Sequence, residues 1–218
     1  MTRAICFDLD GTLFDDRQYI RGGLRHAGRV LADETGVDLT AELLAAYFED
    51  GITDSTFDAV LEAHGLSTDL VPTLIDAYHD NDAALSPYPG AVSTLETLED
   101  AYRLGVITGG TNGRAKLRRL GLEEFFEAVY VGPTFGTTKH DPEIFEAALE
   151  TLGVEPAEAM YVGDRPSLDF PQPNQLGMTT VRVTTGRYAD RPVSGDNAAD
   201  HCITGLQALP AVLEIIHQ

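Results

Sequence analysis

Short apolar runs alternate along the chain with segments in which apolar residues recur every three or four positions. Five of the runs have the length and the residue types of buried parallel strands. They are Ala4 to Phe7, Arg103 to Ile107, Ala128 to Val131, Ala159 to Val162 and Thr179 to Val183. Because helical segments separate the predicted strands, the pattern predicts a doubly wound α/β sheet.

Helical periodicity is clearest in three segments outside these strands. Their apolar positions are Val92, Leu95 and Leu98, then Ile144, Ala148 and Leu152, and finally Leu206, Leu209, Leu213 and Ile216. Residues 16–86 differ, because they have helical patterning and no convincing strand. We therefore predict a core domain of residues 1–15 and 87–218, interrupted by an all-helical domain of residues 16–86.

Composition and charge narrow the range of partners. A hydrophobic content of 43% predicts a packed globular protein. With 35 acidic and 15 basic residues, the net charge of -20 argues against a general affinity for nucleic acid or acidic membrane surfaces. Only Lys116 and Lys139 are lysines. Such an acid-rich, lysine-poor composition fits a halophilic, high-salt cytoplasm, although an acidic mesophilic protein can share it.

The N-terminus and the cysteines predict where the protein is found. Charge comes too early for a signal peptide, and no apolar run approaches the roughly 20 residues that span a bilayer. We therefore expect a cytoplasmic protein. Cys6 and Cys202 lie in apolar stretches that resemble buried strands, and no cysteine or histidine cluster indicates zinc. Both thiols are expected to be reduced core residues.

The strongest chemical signal is an apolar strand that leads directly into two carboxylates and a glycine turn, Phe7-Asp8-Leu9-Asp10-Gly11-Thr12. In an extended chain Asp8 and Asp10 point to the same side. Two such charges repel each other, so the arrangement is costly unless a cation lies between them or one acid holds a proton. Magnesium accepts such oxygens, and a carboxylate can attack phosphorus to give an acyl phosphate. If the motif stood alone, a solvated turn at a strand end would be the better interpretation.

Three further strand ends carry compatible chemistry. The sequence Thr108-Gly109-Gly110 offers a hydroxyl and backbone N–H groups that can hold phosphate oxygens. Lys139 stands just before a predicted helix, and the fourth strand leads to Asp164 and Asp169. Because ligands bind outside the carboxyl ends of the strands in an open parallel sheet, we expect these residues to meet at one edge.

The order of these motifs resembles the haloacid dehalogenase-like (HAD) hydrolase superfamily over essentially the whole chain. The order is Asp-x-Asp-Gly-Thr, then Thr after a strand, then Lys, then Gly-Asp with a further Asp. The resemblance is to the phosphatase branch with a helical cap of the first type, which includes phosphoglycolate phosphatase-like proteins. It implies a Rossmann-like core, a cap that closes over the site and selects the substrate, and a small phosphorylated metabolite as that substrate.

The resemblance also implies a role for each motif residue. Asp8 would attack phosphorus to form an aspartyl phosphate, and Asp10 would be the general acid and base. Thr108, Gly109 and Lys139 would bind the phosphoryl oxygens. The implied ligands of Mg²⁺ are the Asp8 side chain, the Asp10 backbone carbonyl, the Asp164 side chain and, directly or through water, Asp169.

Departures from the family pattern lead to further predictions. His140 replaces the proline that commonly follows the third-motif lysine, and we expect this histidine to be solvated. Gly109 replaces an asparagine, so only backbone contacts are expected there. After Asp169, the sequence Phe170-Pro171-Gln172-Pro173 predicts that no regular helix forms until after Pro173.

Arginines suggest possible contacts with a second anionic group of the substrate. Arg17, Arg21, Arg25 and Arg29 recur every fourth residue along a predicted helix of the insertion. Arg17 or Arg21 would bind such a group, or else the stripe pairs with the abundant acids. Arg165, in the fourth motif, has the same two interpretations.

Other functions of the same fold stay open. A sugar phosphomutase would use the same residues. A 2-haloacid dehalogenase generally lacks the second aspartate, which is present here as Asp10. A non-catalytic phospho-ligand-binding protein would keep the fold without turnover. The sequence specifies neither the substrate nor the oligomeric state.

Overall fold

The computed structural model describes residues 1–216, and its strands form one parallel sheet. The strands are β1 (Ala4–Phe7), β2 (Arg103–Thr108), β3 (Ala128–Val131), β4 (Ala159–Gly163), β5 (Thr179–Val183) and β6 (His201–Ile203). Their order in the sheet is β3-β2-β1-β4-β5-β6. β1 is therefore central, and Ile5 pairs with Leu104 on one side and Met160 on the other. The predicted doubly wound α/β sheet is confirmed.

Asp16–Ala84 forms one of two compact units in the chain. Its helices are α1 (Arg17–Thr35), α2 (Thr40–Phe48), α3 (Thr56–Ala63) and α4 (Val71–His79). Their apolar faces build a separate core that includes Leu24, Leu31, Leu43 and Leu61. This unit contains no strand among its described residues. Its role as a substrate-selecting cap stays a prediction.

The second unit consists of Met1–Asp15 and the chain from Leu85 onward. Its helices are α5 (Ala91–Leu98), α6 (Gly113–Leu120), α7 (Gly132–Phe135), α8 (Glu143–Leu152), α9 (Pro166–Asp169), α10 (Pro171–Leu176) and α11 (Leu209–Ile216). The apolar face of α8 packs on the sheet, where the rings of Phe145 and Tyr161 meet edge to face at 5.3 Å. No helix within residues 1–216 is both long and apolar enough to cross a membrane.

Two details of this unit correct the sequence predictions. β6 was not among the five predicted strands, although the stretch around Cys202 resembled a buried strand. Cys202 lies in β6 and is exposed, so the prediction of two buried thiols holds only for Cys6. In α5 the buried stripe is Ala91, Thr94, Leu95 and Leu98. Val92, which was counted in the helical period of this segment, lies one position off this stripe and is exposed.

The two prolines after Asp169 do not prevent a helix, contrary to the prediction. Pro171 and Pro173 lie in the first turn of α10, where backbone N–H groups have no acceptor within the helix. Asn174 donates the first helical hydrogen bond, to the carbonyl of Phe170 at 3.0 Å. Asp169 ends the short helix α9, just before α10 begins, and is buried.

Candidate active site

The residues predicted to carry chemistry lie at the carboxyl ends of neighbouring strands. Asp8 follows β1, Thr108 ends β2, and Asp164 follows β4. Lys139 lies between α7 and α8, in the connection that follows β3. Because parallel strands end at the same edge of a sheet, the α/β unit gathers these residues in one place.

Asp8 is buried against Lys139. The Nζ atom of Lys139 donates hydrogen bonds to Oδ1 of Asp8 and, at 2.7 Å, to Oδ1 of Asp169. The Lys139 side chain is only 1% exposed and that of Asp8 only 7%. Charges held this far from water interact strongly, so the protonation of each group depends on its neighbours.

The electrostatic environment separates the protonation of Asp8 from that of Lys139. Burial raises the pKa of Asp8 to about 7, against the attraction of Lys139 and with the help of the nearby charges of Asp169 and Asp10. Burial acts to lower the pKa of Lys139, but attraction to Asp169 and Asp8 outweighs it and holds this pKa well above its ordinary value. Lys139 therefore stays charged while Asp8 exchanges its proton near neutral pH.

Asp169 is held in place by the backbone of the fourth motif. Its Oδ2 atom accepts hydrogen bonds from the N–H groups of Asp164 at 3.1 Å and Arg165 at 2.7 Å. A Cβ atom at position 163 would lie 2.7 Å from the carboxyl carbon of Asp169, so Gly163 is needed for this close approach. The carboxylate is thus oriented before any ligand binds.

Asp8, Asp164 and Asp169 form a buried carboxylate cluster. One oxygen from each side chain lies within 4.8 Å of the others. Buried carboxylates are costly unless they are paired or coordinate a metal. Three hard oxygen donors at this spacing suit a divalent cation such as Mg²⁺, which also retains water ligands.

Lys116 is a site residue that the sequence interpretation missed. From α6, its Nζ atom lies 2.7 Å and 2.9 Å from the two carboxylate oxygens of Asp10. Each of the two lysines in the chain is therefore buried and bonded to one carboxylate of the first motif. The rarity of lysine is the sequence signal that points to Lys116.

Three further residues of the α/β unit were predicted to contact the substrate. Thr108 is fully buried, and its Oγ1 atom accepts a hydrogen bond from the Gly110 N–H group at 3.2 Å. Gly109 is exposed beside it. The guanidinium of Arg165 lies 5.3 Å from the ring centroid of Tyr188.

In the helical unit, the guanidinium of Arg21 lies 4.0 Å over the ring of Phe48. Such a cation–π contact differs from the predicted pairing with an acid. Arg29 instead contacts the ring nitrogen of His26 at 3.2 Å. In the α/β unit, the side chain of His140 is exposed, as expected for a solvated histidine.

Comparison with known proteins identifies the family. A model of the haloacid dehalogenase-like hydrolases matches residues 5–183. The chain belongs to this family. A glyceraldehyde 3-phosphate phosphatase from Methanopyrus kandleri is 35% identical to this HAD protein over 92% of this chain and 92% of its own length.

Other HAD relatives differ in the activity that their names give. A phosphoglycolate phosphatase from Rhodospirillum rubrum is 32% identical over 89% of this chain and 84% of its own length. Among solved structures, a 2-haloacid dehalogenase from Pseudomonas syringae is 27% identical, with a TM-score of 0.71, and covers 99% of this chain and 100% of its own. Family membership alone therefore does not select the reaction, which has to be inferred from the site.

Proposed function

We propose that this HAD protein is a magnesium-dependent phosphatase that hydrolyses a small phosphorylated metabolite through an aspartyl phosphate on Asp8. The observation that carries the proposal is the buried cluster in which Asp8 is paired with Lys139 and lies beside Asp164 and Asp169. Phosphoryl transfer requires positioning and neutralisation of charge above all, and this cluster supplies both.

The carboxylate cluster fits magnesium chemically. Asp8 and Asp164 would hold the ion by their side chains and Asp10 by its backbone carbonyl, with Asp169 in direct or water-mediated support. When bound, the ion would neutralise part of the negative charge on the phosphoryl group. Lys139 and the Thr108 hydroxyl would bind other phosphoryl oxygens, together with the backbone N–H of Gly109.

The protein residues account for every proton in the proposed reaction. One oxygen of Asp8 bonds to phosphorus while the bond to the leaving oxygen breaks, and Asp10 gives its proton to that oxygen. In the second step Asp10 takes a proton from water, which attacks the phosphorus. The bond between Asp8 and phosphorus then breaks and inorganic phosphate is released.

A cluster of guanidinium groups supports a substrate with a second anionic group. Arg165, Arg187 and Arg191 lie 5.3, 5.0 and 5.9 Å from the ring centroid of Tyr188. Arg165 directly follows Asp164, so it is the member nearest in sequence to the carboxylate cluster. We therefore assign Arg165 to a carboxylate or phosphate remote from the reacting phosphoryl group. Arg21 stays a second candidate for that contact.

Asp10 favours phosphatase over dehalogenase chemistry. A departing alkoxide needs a proton, whereas a halide leaves without one, so an acid at position 10 has a use only in the first reaction. A phosphomutase would use the same residues and differs only in its product. A binding protein without turnover would have no need for the proton-transfer residue.

A product screen tests the proposal. Wild type and Asp8→Asn would be incubated with Mg²⁺ at low and molar KCl, with glyceraldehyde 3-phosphate, phosphoglycolate, sugar phosphates and a 2-haloacid. We expect phosphate release by wild type and none by Asp8→Asn. Halide release without phosphate would identify a dehalogenase, and an isomeric sugar phosphate without free phosphate would identify a mutase. No turnover of any of these compounds would favour the alternative of a phospho-ligand-binding protein without catalytic activity.

A further inference from the structure

Asp10 has its own buried cation, Lys116, which the proposed phosphoryl-binding site does not use. We propose that Lys116 is a positioning residue that holds the Asp10 carboxylate in the orientation needed for proton transfer to the leaving oxygen. The inference rests on the proposed phosphatase function, because phosphoryl transfer from an ester gives Asp10 a leaving oxygen to protonate.

The contact between the two side chains fixes the carboxylate. Nζ of Lys116 lies 2.7 Å from Oδ1 and 2.9 Å from Oδ2 of Asp10. One ammonium group that bridges both oxygens restricts the rotation of the carboxylate as well as its position. The Lys116 side chain is 6% exposed, whereas that of Asp10 is 21% exposed. The lysine therefore supports the carboxylate from the protein side, and Asp10 retains an open face for proton transfer.

The second motif leaves room for this pair. A Cβ atom at position 110 would overlap Oδ2 of Asp10 and would lie 3.3 Å from Nζ of Lys116. Gly110 therefore allows the loop after β2 to pass directly beside the pair. Lys116 itself lies on the buried face of α6, together with Leu117 and Leu120.

Stability does not explain a lysine at this position. Burying a lysine costs side-chain entropy, and desolvation of a buried pair often cancels its attraction. An apolar residue on the same face of α6 would pack beside Leu117 without either cost, although it would leave Asp10 without its ion-pair partner. A role in orienting Asp10 accounts for the buried charge.

The same arrangement serves both proton transfers. As Asp8 bonds to phosphorus, the proton leaves one oxygen of Asp10 for the leaving oxygen, while Lys116 donates a hydrogen bond to the other. The carboxylate that forms meets an ammonium group already in place, which avoids reorganisation at the moment of transfer. Water then returns a proton to Asp10 during hydrolysis of the aspartyl phosphate.

Two aryl esters that differ mainly in the leaving group separate this role from a structural one. p-Nitrophenolate departs without help, whereas phenolate benefits from protonation. The value of kcat/KM reports phosphoryl transfer to Asp8, so we compare p-nitrophenyl phosphate and phenyl phosphate. In Lys116→Met we expect kcat/KM to fall more for phenyl phosphate than for p-nitrophenyl phosphate. The ratio of kcat/KM for p-nitrophenyl phosphate to that for phenyl phosphate should rise about tenfold, since general acid catalysis contributes about 100-fold or more. Lys116→Arg, which keeps a cation beside Asp10, should restore most of the wild-type ratio.

Controls separate the possible failures. Arg118→Met removes an exposed cation from the same helix and should leave the ratio unchanged. Lys116→Met should add little to the loss in Asp10→Asn, because both changes affect the same proton transfer. If Lys116→Met does not fold, Lys116→Gln provides the same comparison. Equal losses on both esters, or additive losses with Asp10→Asn, would overturn the role of Lys116 alone. A wild-type protein that releases phosphate neither from these esters nor from any phosphorylated compound of the product screen would overturn the proposed function as well.

Discussion

Lys139→Met removes the ammonium group that lies between Asp8 and Asp169 and leaves both carboxylates buried. Removing one partner of a buried pair costs about 3 to 5 kcal/mol. Asp8 can relieve part of this cost by taking up a proton, because its pKa is already raised by burial to about 7 and loses the opposing attraction of Lys139. We therefore expect the stability loss of the metal-free variant to depend on pH.

The sign follows from linkage. A carboxyl group whose folded pKa is raised stabilises the protein fully below its unfolded pKa of about 4, and this contribution is lost as the pH rises through the folded pKa. In wild type the loss levels off above about pH 7, where Asp8 is ionised. In Lys139→Met the pKa of Asp8 is higher, so stability keeps falling by about 1.4 kcal/mol per pH unit. The deficit of the variant should be about 1 to 2 kcal/mol larger at about pH 8.5 than at about pH 7.

Urea unfolding with a chelator present measures this difference. Circular dichroism would follow wild type and Lys139→Met at both pH values, and the difference between the proteins cancels titrations that they share. Arg118→Met is the matched control, because its guanidinium is 60% exposed and pairs with Glu123 at 3.4 Å. An exposed pair contributes about 0 to 1 kcal/mol. A deficit for Lys139→Met that is below about 1 kcal/mol, or equal at both pH values, would refute the reasoning.

Three further outcomes test the metal and substrate contacts. Mg²⁺ should raise the Tm of wild type but not that of Asp164→Asn, because the variant lacks one carboxylate of the cluster; equal shifts in a thermal melt would count against the site. Since burial raises the pKa of Asp8 to about 7, protons should compete with Mg²⁺, and its affinity should fall up to about tenfold per pH unit below that value. Titration calorimetry between about pH 6 and 8 measures this, and a constant affinity would contradict it. Arg165→Gln should raise KM about tenfold for phosphoglycolate, which has a second anionic group, but leave KM for p-nitrophenyl phosphate unchanged, with Arg118→Gln as control. Equal changes in KM for both esters would show that Arg165 does not bind the second anionic group.

Local pattern predicted the parts of the fold that depend on neighbouring residues. β1 is apolar at every position because it is covered on both faces, and this made it recognisable from the sequence. Parallel strands end at the same edge of a sheet, and this rule was sufficient to predict from the sequence that Asp8, Lys139 and Asp164 lie close together. β6 was left out of the predicted strands, because three residues at a sheet edge give too short a pattern to define a strand.

Contacts between residues distant in sequence were the part that pattern could not supply. No spacing rule connects Lys116 with Asp10, which is 106 positions away, because their meeting depends on how α6, which packs against β3, is placed in the α/β unit. The prediction that the prolines after Asp169 prevent a helix was wrong for a different reason. Proline disrupts a helix interior but is tolerated in a first turn, so the outcome depends on where α10 begins.

The central claim is that Asp8 becomes covalently phosphorylated. Acid quenching of wild type during turnover of p-nitrophenyl phosphate, followed by borohydride reduction, would convert an aspartyl phosphate into homoserine, which peptide mass spectrometry locates. We predict homoserine at position 8 in wild type, and none when substrate is omitted. Phosphate release at the normal rate with position 8 unmodified, or with the modification at another residue, would contradict the account.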